Sequence, residues 1–191
     1  MAQNDLKTEF GIIVVGGSAG SLEPVLTILE ALKPTRFAIV LILHRKPSND
    51  SVLAKVLSGR SAYPVREAEE KEKLQAGVVY VAPADYHLLF EKDGTISLDD
   101  SEKVNFSRPS IDVSFDSAAD VYGSRLIGIL LSGGNTDGAE GMKKIKREGG
   151  YCIVQDPDSA TVAVMPGHAI NETEVNQILN ASEIAGLLNR L

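Results

Sequence analysis

The chain has 191 residues, 43% of them hydrophobic and 24% charged, with a formal net charge of −7. That length supports one compact domain with a real core, and the acidic balance excludes a general nucleic-acid binder, whose phosphate contacts need a basic surface. One cysteine, Cys152, excludes a disulfide framework and a multi-cysteine metal site.

No apolar stretch reaches the about 18 residues of a membrane-crossing helix, and the polar Met1–Phe10 is no secretory signal. A cytoplasmic protein without membrane insertion is expected. Ile12–Val15 is short, β-branched and bounded by glycine, which predicts a buried strand. The turn Gly16-Gly17-Ser18-Ala19-Gly20 follows, with glycines suited to close approach or positive φ. Leu22–Leu32 reads as a helix, with Ser21 as N-cap and Pro24 tolerated in its first turn. Phe37–Leu43 is a second buried strand and Ser51–Leu57 a short helix. Tyr63–Ala68 is a short strand, and Glu69–Lys73 a solvated charged turn. Val78–Ala82 and Tyr86–Glu91 are strands, and Asp93-Gly94 turns the chain into Thr95–Leu98 as a hairpin.

Asp99–Pro109 is a polar loop, after which Ser110 caps a helix over Ile111–Tyr122. Leu126–Leu131 is a strand, Ser132–Thr136 a turn, and Asp137–Glu148 a helix ending at Gly149-Gly150. Cys152–Val154 is a strand that buries the cysteine as an inert apolar group. Pro166–Ile170 is a short helical piece, Val175–Leu179 a strand and Ala181–Leu191 a closing helix. Buried strands separated by helices define an α/β fold: a doubly wound, mostly parallel sheet with helices on both faces and one antiparallel hairpin. No linker divides residues 1–191, so a single domain is expected.

In such sheets chemistry sits outside the carboxyl ends of the strands. Ser18 follows the first strand, His44 the second, and Asp137 the strand ending at Leu131. Gly-x-Ser-x-Gly between strand and helix has the form of a nucleophile elbow. A serine needs a base, neutral imidazole serves near physiological pH, and a carboxylate orients the imidazole. Each residue also has a structural role open to it: turn serine, strand-end histidine, helix-start aspartate. A dinucleotide site is excluded by the missing third glycine and by His44 standing where an acidic residue belongs. A phosphate binder using the Gly16–Ser21 turn stays open. His87 and His168 have no metal-ligand spacing.

At these residues the chain resembles the catalytic domain of the protein-glutamate methylesterases of bacterial chemotaxis, over roughly Gly11 to Ile170. Val15-Gly16-Gly17-Ser18-Ala19-Gly20 resembles the family's nucleophile motif, and Leu43-His44-Arg45-Lys46-Pro47 its histidine motif. Tyr80 to Leu88 is similar to its central strand pair, Arg108-Pro109-Ser110-Ile111-Asp112-Val113 to its helix after the long loop, Ser132 to Gly141 to its aspartate motif, and Gln155-Asp156 through Ala169 to its closing segment.

The resemblance implies Ser18 as nucleophile, His44 as general base and acid, Asp137 as orienter, and Ala19 and Gly134 as oxyanion or loop candidates. It implies hydrolysis of glutamyl methyl esters, with deamidation of glutamine as a second family activity. The implied partner is a methyl-accepting chemoreceptor-like protein, no cofactor or metal is needed, and methanol is the released product. The chain departs from the family in three places. Ala19-Gly20-Ser21 stands for Thr-Gly-Gly, Gly134 and Asn135 stand for a methionine and a glycine, and Arg45-Lys46 precedes Pro47 in place of methionine. The altered loop motivates the alternative of a weakly catalytic or non-catalytic regulatory module in a chemotaxis-like signalling system. About ten residues before the first strand leave no room for the usual receiver domain, so control by phosphorylation in cis is not expected for the chain as given; three alternatives stay open, namely control by a partner such as a separate receiver or histidine kinase protein, a constitutively open domain, or a sequence that is a fragment.

Overall fold

The computed structural model describes residues 11–33, 36–46 and 52–191. Nine strands and six α-helices follow in chain order among these residues. They are β1 (Ile12–Gly17), α1 (Leu22–Ala31), β2 (Ala38–Leu43), α2 (Val52–Ser58), β3 (Val65–Glu67), β4 (Val79–Val81), β5 (His87–Phe90), β6 (Ile96–Asp99), α3 (Ile111–Tyr122), β7 (Leu126–Leu130), α4 (Ala139–Arg147), β8 (Tyr151–Gln155), α5 (Val164–Glu172), β9 (Gln177–Leu179) and α6 (Ala181–Leu188). Pro47 of the histidine motif and Ser51, the expected start of α2, lie outside the described residues.

Seven strands form one parallel sheet in the order β3-β4-β2-β1-β7-β8-β9, and β5 and β6 pair as a separate antiparallel hairpin. β1, β2 and β7 are buried throughout, as their unbroken apolar runs require when both faces of a sheet are covered. Alternate side chains of β1 serve different cores. Ile13 and Val15 pack with Leu29 of α1 and Ile184 of α6, while Ile12 and Val14 pack with Phe115 of α3, Met142 of α4 and Leu88 of the hairpin.

The chain winds outward from β1 through β2 to β4 and β3, then returns to place β7 on the other side of β1. The end of β1 is therefore the switch point of the sheet, where a crevice opens beyond the strand ends.

Three local expectations change. Ser21 does not cap α1 with its side chain; its Oγ donates to the Ser18 carbonyl at 2.6 Å and tightens the turn. Glu69–Lys73 is more than a solvated turn, because Lys71 N–H donates to Ile96 O and Ile96 N–H to Glu72 O, covering the outer edge of β6. The helix expected from Asp137 begins at Ala139, because Gly138 takes a left-handed φ of 97°.

Candidate active site

Parallel pairing sets Gly17 beside Leu43, so Ser18 and His44 leave neighbouring strand ends side by side. The ladder runs one step further, with His44 N–H donating to Gly17 O at 3.0 Å. On the other side, Leu131 N–H donates to Gly16 O and Ser18 N–H to Ser132 O, both at 2.9 Å, so β7's exit loop is tied to the serine. The glycines serve two purposes. A Cβ on Gly16 would lie 2.5 Å from Ile111 Cγ2, and one on Gly17 would lie 2.6 Å from Ser21 Cβ, so both permit close approach. The positive φ of the turn, 78°, falls on Gly20.

His44 Nε2 and Asp137 Oδ2 are 2.8 Å apart, with the imidazole 10% and the carboxylate 0% exposed. Asp137 also accepts hydrogen bonds from Ile111 N–H (2.7 Å), Asp112 N–H (3.0 Å) and Ser110 Oγ (3.0 Å). The carboxylate thus sits on the N-terminus of α3, where free amides favour an anion. Burial pushes its pKa up, but the His44 hydrogen bond and these amides outweigh burial and hold it below the ordinary carboxylate value. Ionised Asp137 accepts a hydrogen bond from Nε2–H, which leaves Nδ1 as the lone-pair nitrogen of neutral His44.

Nδ1 faces the open side, with Ser107 Oγ at 3.4 Å. Ser18, Ala19, His44 and Ser107 line one cleft of about 460 Å3. Ser18 and the imidazole share that cleft without a hydrogen bond between them in this conformation. Ala19 is exposed at the elbow, its carbonyl held by Ser132 Oγ at 2.8 Å.

Gly134 is exposed and does not line the cleft; a Cβ there would meet only Val162, at 3.8 Å, an ordinary contact. Arg45 turns away from the mouth toward Glu67 and the Ala82 carbonyl.

Residues of the polar loop and of the start of α3 enter the site without having been singled out by sequence. Asp112 accepts from Gly138 N–H (2.9 Å) and Gly141 N–H (2.8 Å), and so supplies the cap that α4 lacks. Two helix starts thereby exchange carboxylates: Asp137 on α3, Asp112 on α4. Burial, with the neighbouring Asp137 charge, raises the Asp112 pKa to about 6 against the glycine amides that lower it. The signal available in sequence was Ser110-x-Asp112, a capping segment directly after a polar loop.

His87 is structural: Ser110 N–H donates to its Nδ1 and its Nε2 meets Glu102 O, both at 3.0 Å. Cys152 is buried, which pushes its thiol up to about 12. Among the described residues no group of three or more His, Cys, Asp or Glu could hold a metal ion, and no helix is long and apolar enough to cross a membrane.

A parallel sheet with a serine and a buried His–Asp pair near its switch point makes this an α/β domain that carries the residue types of a hydrolase. Comparison with known proteins narrows the class. The CheB methylesterase family model matches residues 13–188, and the chain belongs to that family. A relative from Leptospira interrogans serogroup Icterohaemorrhagiae serovar copenhageni is 49% identical over 181 residues, 94% of this chain and 93% of its own; its name assigns it provisionally as a protein-glutamate methylesterase/protein-glutamine glutaminase. Protein-glutamate methylesterase/protein-glutamine glutaminase 2 of Saccharophagus degradans is 36% identical over 183 residues, 94% of this chain but 52% of its own length. The crystal structure of the Thermotoga maritima CheB methylesterase catalytic domain superposes with a TM-score of 0.91 at 34% identity, covering 96% of this chain and 99% of that one.

Proposed function

We propose that the chain hydrolyses glutamyl methyl esters on the cytoplasmic helices of a chemoreceptor-like protein, with Ser18, His44 and Asp137 as its triad. The observation that carries this reading is the 2.8 Å His44–Asp137 contact beneath a cleft that Ser18 lines. Ser18 Oγ attacks the ester carbonyl carbon while His44 Nδ1 takes its proton. The imidazolium is stabilised by Asp137 through Nε2–H. The Ala19 N–H, next to the serine in the turn, serves as donor to the oxyanion. The tetrahedral intermediate expels methoxide, which takes the proton back from Nδ1 and leaves as methanol. Water then attacks the acyl-serine and gives a proton to Nδ1, which passes it to Ser18 Oγ as the acyl bond breaks and the glutamate side chain is released. Ester and water become carboxylic acid and methanol, and no step requires a cofactor. A glutamine side chain in place of the ester would release ammonia by the same route.

Ser18→Ala should lower methanol release from a methylated receptor fragment by at least ~10³-fold, the scale for a triad nucleophile. Release at the wild-type rate would overturn the assignment. Labelling of Ser18 by a fluorophosphonate probe separates this reading from that of a non-catalytic regulatory module, which predicts none.

A further inference from the structure

The loop between β6 and α3 carries a feature that the hydrolytic chemistry does not use. Phe106 is 98% exposed, whereas among the described residues every other exposed large apolar side chain lies between 38% and 53%. Its backbone is left-handed, with φ 63°, and so is that of Asn105, with φ 50°. Val104 N–H donates to Ser107 O at 3.2 Å and Ser107 N–H to Val104 O at 2.9 Å. This is a two-residue turn with both central residues at positive φ, the conformation that Asn-Gly satisfies best. Asn105 fits it. Phe106 occupies the glycine position, where a side chain strains the backbone, and none of its surface is repaid by burial.

The turn is held rather than free. Asn105 Nδ2 donates to Asp112 at 3.3 Å, and Arg108 grips Asp85 (2.9 Å) together with the carbonyls of Asp100 and Ser101. Ser107 Oγ lies 3.4 Å from His44 Nδ1. Phe106 is thereby presented at the rim of the cleft that Ser18 lines. The charge of that rim runs against the charge of the molecule. Of the charged residues that line the cleft, Arg45 is paired with Glu67 and Arg108 with Asp85, which leaves Lys46 and Lys103 as the cations of the rim in a chain of net charge −7. A cleft of about 460 Å3 is large enough for side chains but too small to take in a helix of several turns. The polypeptide bearing such a side chain must lie across the mouth and meet the rim.

We propose that the Val104–Ser107 turn is a docking element for the substrate polypeptide: Phe106 packs on the apolar strip of an acidic amphipathic helix, and Lys46 and Lys103 face its carboxylates. The surface fits an acidic partner because its cations exceed its acids, and an amphipathic one because an exposed aromatic stands among them. The proposal rests on the esterase reading only for the identity of the helix.

The test is binding to Ser18→Ala protein, which keeps the probe intact. The probe is a synthetic Glu-rich amphipathic helical peptide carrying one glutamyl methyl ester. Adding Phe106→Gly restores the favoured Asn-Gly turn, so the Tm should not fall, while affinity for the peptide should weaken about tenfold or more. Lys103→Glu should weaken it as well, and a Lys-rich peptide of the same apolar pattern should bind more weakly than the Glu-rich one. Equal affinity with and without Phe106, or equal affinity for the two peptides, would overturn the proposal. So would weaker binding accompanied by a lowered Tm, which would make Phe106 structural. Methanol release by the wild-type protein from the same peptide is scored separately: binding without release contradicts the esterase reading and leaves the docking element standing.

Discussion

Asp137 and Asp112 are two carboxylates 25 positions apart in sequence whose surroundings set them to different tasks. Asp137 is fully buried, yet four donors, His44 among them, keep it ionised, so it can hold one imidazole tautomer and stabilise the imidazolium. Asp137→Asn should therefore lower kcat by ~10³–10⁴-fold with KM little changed, since it disturbs the base and not the cleft; steady-state kinetics on a methyl ester separates the two parameters. Asp112 has the opposite balance, with its pKa raised to about 6 by burial and by the Asp137 charge. A carboxyl whose folded pKa lies above its unfolded value favours the fold at low pH, and that contribution is lost as pH rises through the folded value. Asp112→Asn keeps an oxygen for the Gly138 and Gly141 amides but has no charge to ionise. Its Tm should exceed that of the wild type at pH 8, with the difference shrinking to nothing by pH 4, as read by calorimetry. The pairing of these two acids was not legible in sequence, because it depends on two helix starts meeting in space. What was legible was the residue type and its position after a strand.

At the scale of elements, the approach of α3 to α4 sets the geometry of the site. Gly141 makes it possible, since a Cβ there would lie 2.5 Å from Phe115 Cβ. Gly141→Ala should cost about 1–3 kcal/mol of stability by overpacking a contact between two helix stems. It should also reduce kcat, because moving α3 displaces the amides that hold Asp137; denaturant unfolding and kinetics on one variant check both effects. The start of α4 at Ala139, two residues later than the apolar pattern predicts, has the same origin. Asp137 is committed to His44 and to α3, and Gly138 turns the backbone before the helix can begin. Pattern reading finds the periodic body of a helix well, but the first turn depends on who accepts its amides, and here the acceptor comes from α3. Ser21 illustrates the same limit: a serine before a helix reads as a cap, yet its hydroxyl closes the Ser18 turn.

For the whole molecule, two hydrophobic cores lie on opposite faces of one sheet whose strands are shared by both. Residues 1–191 are therefore proposed to behave as one cooperative unit. Leu29→Ala, on the α1 side, and Phe115→Ala, on the α3 side, should each cost about 2–5 kcal/mol and shift the same single transition; two separate transitions in circular dichroism would divide the domain along its sheet. By itself the sequence determined the buried strands, the alternation with helices, the Asp93-Gly94 hairpin and the reactive residue types at three strand ends. All of these are local, because period, length and turn chemistry are properties of neighbouring residues. Tertiary structure alone decided that β1 lies between β2 and β7, that Asp137 reaches His44 through Nε2, and that a polar loop carries Phe106 to the rim of the cleft. Those outcomes depend on contacts between residues far apart in the chain. Only packing a second helix layer onto the sheet brings such residues within hydrogen-bond reach.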